Sequence, residues 1–321
     1  MSLSDRSMGR IAIKRKSTRM HDTFQIAGQE IRVKGRLLRI AQLEADKYHV
    51  VEHPETMLRG LRNSGRRVDL FTFLQKLPER TPEFHYPMEW DNLAVLPVST
   101  FENWWNQQLG FKARNKAKQA LKKGVTIREV PFDDTLVEGI WKVYNECPVR
   151  QGRPFRHFGK SLHAIRREEA TFLDTSIFIG AYLNDALIGF IKLTHDAGRT
   201  QAGLMNIVSM VQHRDKAPTN ALLAEAVRAC ASRNIPHLVY SNFSYGRKQS
   251  DSLSDFKERN GFQRYDVPRY YVPLTVFGKL ALRLGLHKNW ADRIPEPMVA
   301  KLRDIRNQWY NRKLETTAEA S

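Results

Sequence analysis

The stretch Val211-Gln-His-Arg214-Asp215-Lys216-Ala217-Pro218-Thr219-Asn220-Ala-Leu222 carries the chemistry for holding an anion. An apolar run ends near Val211, and helix-forming residues begin a few positions later with Pro218 in the first turn. At such a junction the free backbone N–H groups and the helix dipole point at whatever sits between strand and helix. A pyrophosphate suits both. Arg214 and Lys216 add positive charge at the same mouth, and the small Ala217 and Thr219 let a phosphate approach the backbone. The competing reading is an ordinary strand-to-helix turn.

A second group is Arg150, Arg153 and Arg156, interleaved with Phe155, His157 and Phe158. Guanidinium forks among aromatic rings can clamp an anionic acceptor, and an exposed basic loop is the plainer alternative. Ser209 and Asn242 fall on apolar, strand-like runs where their side chains could meet substrate. Cys147 precedes Pro148 in a loop with no His/Asn arrangement beside it, so it is not read as a nucleophile. Cys147 and Cys230 are the two cysteines, without paired spacing or a histidine cluster, which speaks against a disulfide framework or a zinc site and fits a reducing compartment.

These residues need elements to position them. EIRVKGRLLRI reads as short strands joined by a glycine turn, residues 54–64 as a helix, VDLFTFLQKL as an apolar stretch and LAVLPV as a strand. FENWWNQQLGFKARNKAKQALKKGV has the composition of one helix stopped by Gly124. Its basic residues Lys112, Arg114, Lys116, Lys118, Lys122 and Lys123 fall on most faces; a solvated helix is the first reading and a phosphate-facing one the second. TIREV follows as a strand, and then a helix capped by Asp133 or Asp134. SIFIGAYLNDALIGFIKLTHD is a hairpin turning at Asn184–Asp185. A third strand, QAGLMNIVSMVQ, a helix from Pro218 to Arg233, a strand HLVYSNF, a short helix ending at Gly261 and a last strand QRYDVPRYYVPL complete the order.

The chain has 321 residues, 41% of them hydrophobic and 27% charged, a soluble globular profile with room for two domains. No apolar run reaches the length of a membrane span, and the basic start lacks the pattern of a secretory leader, so the expected location is cytoplasmic. The net charge of +18 implies a negatively charged partner: a phosphorylated cofactor, an anionic substrate, nucleic acid or an anionic membrane face. The segment VFGKLALRLGLHKNW mixes apolar and basic residues; it is expected to pack on the domain, with a peripheral membrane contact as the alternative.

The order strand, hairpin, strand, helix, strand, short helix, strand resembles the later part of the GNAT fold of acyl-CoA N-acyltransferases. IFIGAYLNDALIGF is similar to that family's second and third strands, with Gly189 at the family's glycine. The segment from Arg214 to Leu222 resembles its cofactor loop, Arg/Gln-x-x-Gly-x-Gly/Ala-x-x-Leu, with Ala217 and Thr219 in the glycine positions. NFSYG supplies Tyr245 where many members carry a general acid, and DFKERNGF resembles their helix-to-strand junction. A narrower likeness, in WWNQQLGFKARNKAKQALKKGV and PTNALLAEAVRACASRNI, is to the Fem-type transferases.

The resemblance implies an α/β fold: a GNAT-like mixed sheet flanked by helices over residues 100–275. Before it come a flexible basic arm (1–20) and an α+β region (21–99), the latter a candidate degenerate half of the same fold. A basic helical tail (276–321) follows. It implies acyl-CoA or acetyl-CoA as co-substrate, no metal, and backbone contacts from Val208 and Met210 to the donor. Arg214, Asp215, Lys216, Ala217, Thr219 and Asn220 would hold its phosphates. Tyr245 would protonate the leaving thiolate, and His195, Asp196 or His213 would serve as base. The expected reaction is acyl transfer from acyl-CoA to the amine of a small or cell-envelope-precursor acceptor. The alternatives are Fem-like transfer from aminoacyl-tRNA and a non-catalytic anion- or nucleic-acid-binding protein on the same scaffold.

Overall fold

The structure is a computed structural model that describes residues 22–150, 153–244 and 252–288. The basic arm, Tyr245 and the chain beyond Lys288 lie outside the described residues.

The chain opens with antiparallel β1 (Asp22–Ile26), β2 (Gln29–Lys34) and β3 (Ile40–Leu43), then α1 (Pro54–Asn63). β4 (Leu70–Leu74) runs parallel to β3, and all five of its residues are buried, as expected of an unbroken apolar run covered on both faces. β5 (Met88–Pro97) follows.

Residues 101–122 form two helical pieces, where the sequence predicts one helix. α2 (Phe101–Asn103) runs into a π-helical turn (Trp104–Gln108), and α3 (Phe111–Lys122) starts afresh after Gly110. The reason is docking. The buried Trp104 indole N–H donates to the Asn260 carbonyl (2.9 Å) and the Gly110 N–H to the Arg259 carbonyl (2.9 Å). A Cβ at position 110 would sit 2.9 Å from that Arg259 oxygen, so the chain must pass there as glycine. α3 then buries Ala113, Ala117 and Ala120, spaced as one helical face, and leaves its lysines outside.

β6 (Thr126–Val130) leads to α4 (Asp134–Asn145), whose first turn is capped by Asp133 accepting from the Leu136 N–H (2.8 Å). The small ribbon β7 (Val149–Arg150) and β8 (Arg153–Pro154) precedes α5 (Leu162–Glu169). β9 (Ser176–Leu183) and β10 (Ala186–His195) make the expected hairpin. Asn184 and Asp185 both take positive φ, +49° and +62°, as a type I′ turn demands. Then come β11 (Ala202–Ser209), a 3₁₀ turn (Val211–Lys216), α6 (Pro218–Ser232) and β12 (His237–Val239). α7 (Ser252–Arg259), β13 (Gln263–Pro273) and α8 (Val276–Arg283) complete the described fold.

Eleven strands form one mixed sheet in the order β1-β2-β3-β4-β13-β5-β12-β11-β10-β9-β6. The first hundred residues and the later region share it, because β5 lies between β12 and β13. The largest core lies between the central strands and α3 and α6; a second lies under α4 and α5. A third joins α1 and β1–β4 to Tyr270 and Val272 of β13.

Candidate functional site

β11 and β12 run parallel but pair at only two positions, Ala202 with Leu238 and Gly203 with Val239. β12 is shorter than the HLVYSNF run predicts. Past Val239 the chain stays hydrogen-bonded to β5, through Tyr240 N–H to the Ala94 carbonyl and Ala94 N–H to the Ser241 carbonyl, and leaves β11. The two strands therefore splay, and a cavity of about 550 Å³ opens between them. Its walls are the end of β11, the first turn of α6, Tyr240, α7, Lys116 of α3, and the side chains of Arg150 and Phe155.

Strand parity decides which backbone groups face this cavity. The Met210 N–H donates to the Ile188 carbonyl of β10 (2.8 Å), so by antiparallel alternation the amide of Val208 faces β10 as well. The expected backbone contacts from Val208 and Met210 are thereby corrected; both residues line the cavity with their side chains. Ile207 and Ser209 turn their N–H and C=O groups toward the splay. The Ser209 carbonyl indeed accepts from Arg150 Nη1 at 2.6 Å. Gly189 permits this edge, since a Cβ there would lie 2.9 Å from the Ser209 Cβ.

Of the predicted phosphate-binding residues, Arg214, Ala217, Thr219 and Asn220 line the cavity. Asp215 turns the other way: its carbonyl accepts from Gln119 (2.9 Å) and Lys123 (3.0 Å) of α3, with Lys216 beside its carboxylate (3.4 Å). Ala217 takes a left-handed conformation (φ +53°), the feature that glycine supplies without strain in this position. Its N–H is already bonded to the Arg214 carbonyl (3.1 Å), and Pro218 has no N–H. The loop thus offers a phosphate fewer backbone donors than its spacing alone implies. Side chains supply the charge instead. Lys116, Arg150 and Arg214 line the cavity, and among the described residues no carboxylate does. Neither Lys116 nor Arg214 has a side-chain hydrogen bond or ion pair among the described residues.

Arg150 is fixed rather than free to clamp an acceptor. Besides Ser209 it bonds the Val143 carbonyl (2.8 Å) and approaches Glu146 (3.5 Å). Glu146 in turn accepts the Val211 N–H (3.1 Å) and Gln212 N–H (2.9 Å), so one carboxylate ties the end of α4 to the turn after β11. Sequence reasoning missed Glu146. An acidic residue after a helix has no signature until the turn it grips is folded against it.

The other predicted residues are not brought to the cavity. Arg153 and Arg156 are exposed, and Arg156 Nε donates to His157 Nε2 (2.8 Å). Asn242 donates to Asp91 (2.8 Å), and its carbonyl receives Lys257. His195 sits six residues along β10 from Gly189, roughly 20 Å at strand rise. There it borders a separate cavity of about 670 Å³ with His49, His53 and Asp196, and its Nδ1 lies 2.8 Å from the Asp196 carbonyl. His213 lies in the 3₁₀ turn and outside the lining. Among the described lining residues none is a histidine, aspartate or glutamate; Ser209, Thr219, Tyr240 and Ser252 supply hydroxyls, and Ser209 Oγ and Thr219 Oγ1 lie 2.9 Å apart.

Behind the α4 side of β11 lies a buried polar group. Glu169 accepts from Tyr144 (2.8 Å) and from Asn206 Nδ2 at both oxygens (3.0 and 2.9 Å). Lys192 donates to the carbonyls of Glu169 (2.6 Å) and Thr171 (2.7 Å). Burial pushes the Glu169 carboxyl above the usual range against the charge of Lys192, and pulls the Lys192 ammonium down to about 8. The His157 ring stacks on Tyr144 with centroids 4.3 Å apart. Burial first, then the charges of Lys160, Arg156 and Arg150, hold His157 at about 3.

That value carries a pH prediction. The unfolded chain takes up a proton at this residue near pH 6.5 and the folded chain only near 3. His157 therefore removes stability as pH falls through that window and contributes no slope above it. His157→Phe, which keeps a ring against Tyr144, is expected to flatten the acid side of the stability curve in urea titrations between pH 6.5 and 4. Parallel curves for the two proteins would contradict the assignment.

The sequence matches no family model and no curated protein. Solved structures match it in fold. FemX superposes with a TM-score of 0.55 at 10% identity, over 80% of this chain and 86% of its own. The C-terminal domain of a putative lysylphosphatidylglycerol synthetase from Agrobacterium fabrum gives 0.52 at 13%, over 81% and 86%. L-PGS from Bacillus licheniformis gives 0.50 at 13%, over 82% and 88%. At these identities the likeness is one of fold, and the expected mixed, helix-flanked GNAT-like sheet is the architecture of this chain.

Proposed function

We propose that the protein is a transferase that moves an acyl group from a phosphate-bearing donor to an amine, with the acyl end of the donor in the β11–β12 splay. The observation that carries the reading is the pairing of an open strand edge at Ile207 and Ser209 with a cavity lined by three cations and, among the described residues, no acid. The edge N–H groups can hold a carbonyl oxygen and stabilise the oxyanion that forms when the amine attacks. Lys116 and Arg214 can hold the phosphates. Among the described lining residues there is no carboxylate or imidazole, and water at the cavity mouth is the proposed acceptor of the amine's proton. Tyr245 is the proposed proton source for the leaving group.

The donor loop favours an RNA-borne acyl group, as in the Fem-type alternative, over acyl-CoA. With Pro218 lacking an N–H and the Ala217 N–H spent, a pyrophosphate finds a depleted cradle, while side-chain cations and a net charge of +18 suit single phosphodiesters. The acyl-CoA reading is supported by the loop spacing and by the splay, which would admit a thin chain. A thermal-shift titration separates them, using coenzyme A, acetyl-CoA, longer acyl-CoAs and an aminoacylated tRNA at two salt concentrations. Stabilisation by the tRNA that weakens steeply with salt is the expected result. Saturable, salt-tolerant stabilisation by an acyl-CoA would assign the donor to that class instead. No response to any of them would overturn the transferase reading.

A further inference from the structure

α8 is docked through one narrow side. Gly278 and Ala281 are buried, Gly278 lies against the Asp69 carbonyl, and the Thr275 cap accepts from the Gly278 N–H (2.9 Å) while donating to Asp69 (3.0 Å). The opposite side is apolar and open. Val276 is 88% exposed, Leu280 52% and Leu284 61%, and they follow one another at i, i+4 and i+8. Phe277 and Leu286 extend the patch. Basic residues flank this stripe on both sides. Lys279 and Arg283 run along one border, and Arg67 stands over the Phe277 ring on the other, 5.9 Å from its centroid. Residues 276–288 contain no acidic side chain, and the nearby Glu89 is paired with His287 and Lys288.

An apolar stripe edged by cations is the surface of a helix that lies in a lipid interface, apolar side chains among acyl chains and cations at the phosphates. The border is positive on both sides, which complements an anionic surface. No helix among the described residues is long and apolar enough to cross a membrane, so the contact is peripheral. We propose that α8 docks the protein on an anionic phospholipid surface.

The test is co-sedimentation of the full chain with vesicles of phosphatidylcholine alone and of phosphatidylcholine mixed with phosphatidylglycerol. The comparison is with Leu280→Asp/Leu284→Asp and with Leu121→Asp, a comparably exposed leucine of α3. Because all three side chains are exposed, unchanged melting temperatures check the fold. Binding to the mixed vesicles is expected, weak or absent on phosphatidylcholine, and reduced roughly tenfold or more in the α8 double variant but not in Leu121→Asp. Three results would each overturn the proposal. One is absence of binding to either vesicle. Another is full binding by the α8 variant, which marks adsorption by the general positive charge. The third is a concentration-dependent dimer in lipid-free solution that the α8 variant abolishes, which gives the stripe to a second copy.

Discussion

Lys192→Met is expected to destabilise the fold by about 3–5 kcal/mol, the cost of leaving a buried charge and buried carbonyls without their partner. Methionine fills the volume against Phe178 but supplies no donor to the carbonyls of Glu169 and Thr171. The Glu169 carboxylate also loses the one cation that opposes its burial. Adding Glu169→Gln removes the stranded charge, and the double variant should recover part of the loss. Urea denaturation of wild type, both single variants and the double variant measures the coupling. A cost below about 1 kcal/mol for Lys192→Met would show that Glu169 is protonated and indifferent to its neighbour. Because Asn206 belongs to β11 and bonds both Glu169 oxygens, a loosened network should also disturb the strand that borders the cavity.

Removing the cavity's free cations should act in the opposite sense on the two observables. Arg214→Ala and Lys116→Ala are each expected to weaken donor binding roughly 10-fold to 100-fold, the range of a hydrogen bond to a charged group. Stability should hold or rise, since neither side chain has a hydrogen bond or ion pair among the described residues and the charge of Arg214 opposes that of Arg150. With an RNA donor, each replacement should also lower the slope of log affinity against log salt by about 0.7–0.9. Arg233→Ala removes a surface cation that pairs with Glu129 and serves as the control. Affinity and salt slope unchanged in both cavity variants would detach the phosphates from this mouth.

Much of this architecture was legible in the residues because each signal was local. The Asn184–Asp185 turn, the Asp133 cap and the Pro218 helix start depend on a few neighbouring positions, and the structure shows each. The junction from Arg214 to Asn220 was readable for the same reason, as a strand end followed by a helix start. What stayed hidden was set by partners distant in sequence. Gly110 breaks a helix because Arg259 approaches it, 149 positions later by number. The backbone amides of Ile207 and Ser209, not those of Val208 and Met210, face the cavity, since parity depends on the register with β10. His195 ends a strand that does pass the cavity, but at its far end. Lys116 reaches the mouth only once α3 is packed beside α6, and Glu146 grips the turn after β11 only once α4 is packed on β10.

Hydrogen exchange of the chain with and without a saturating donor tests the central claim most directly. The Ile207 and Ser209 amides face an open edge, so they should exchange readily in the free protein and slow when a donor carbonyl is held there. The account predicts protection concentrated in β11 and the first turn of α6, with aminoacylated tRNA giving more than acyl-CoA. Protection confined to other basic surfaces, with residues 203–220 unchanged, would contradict it.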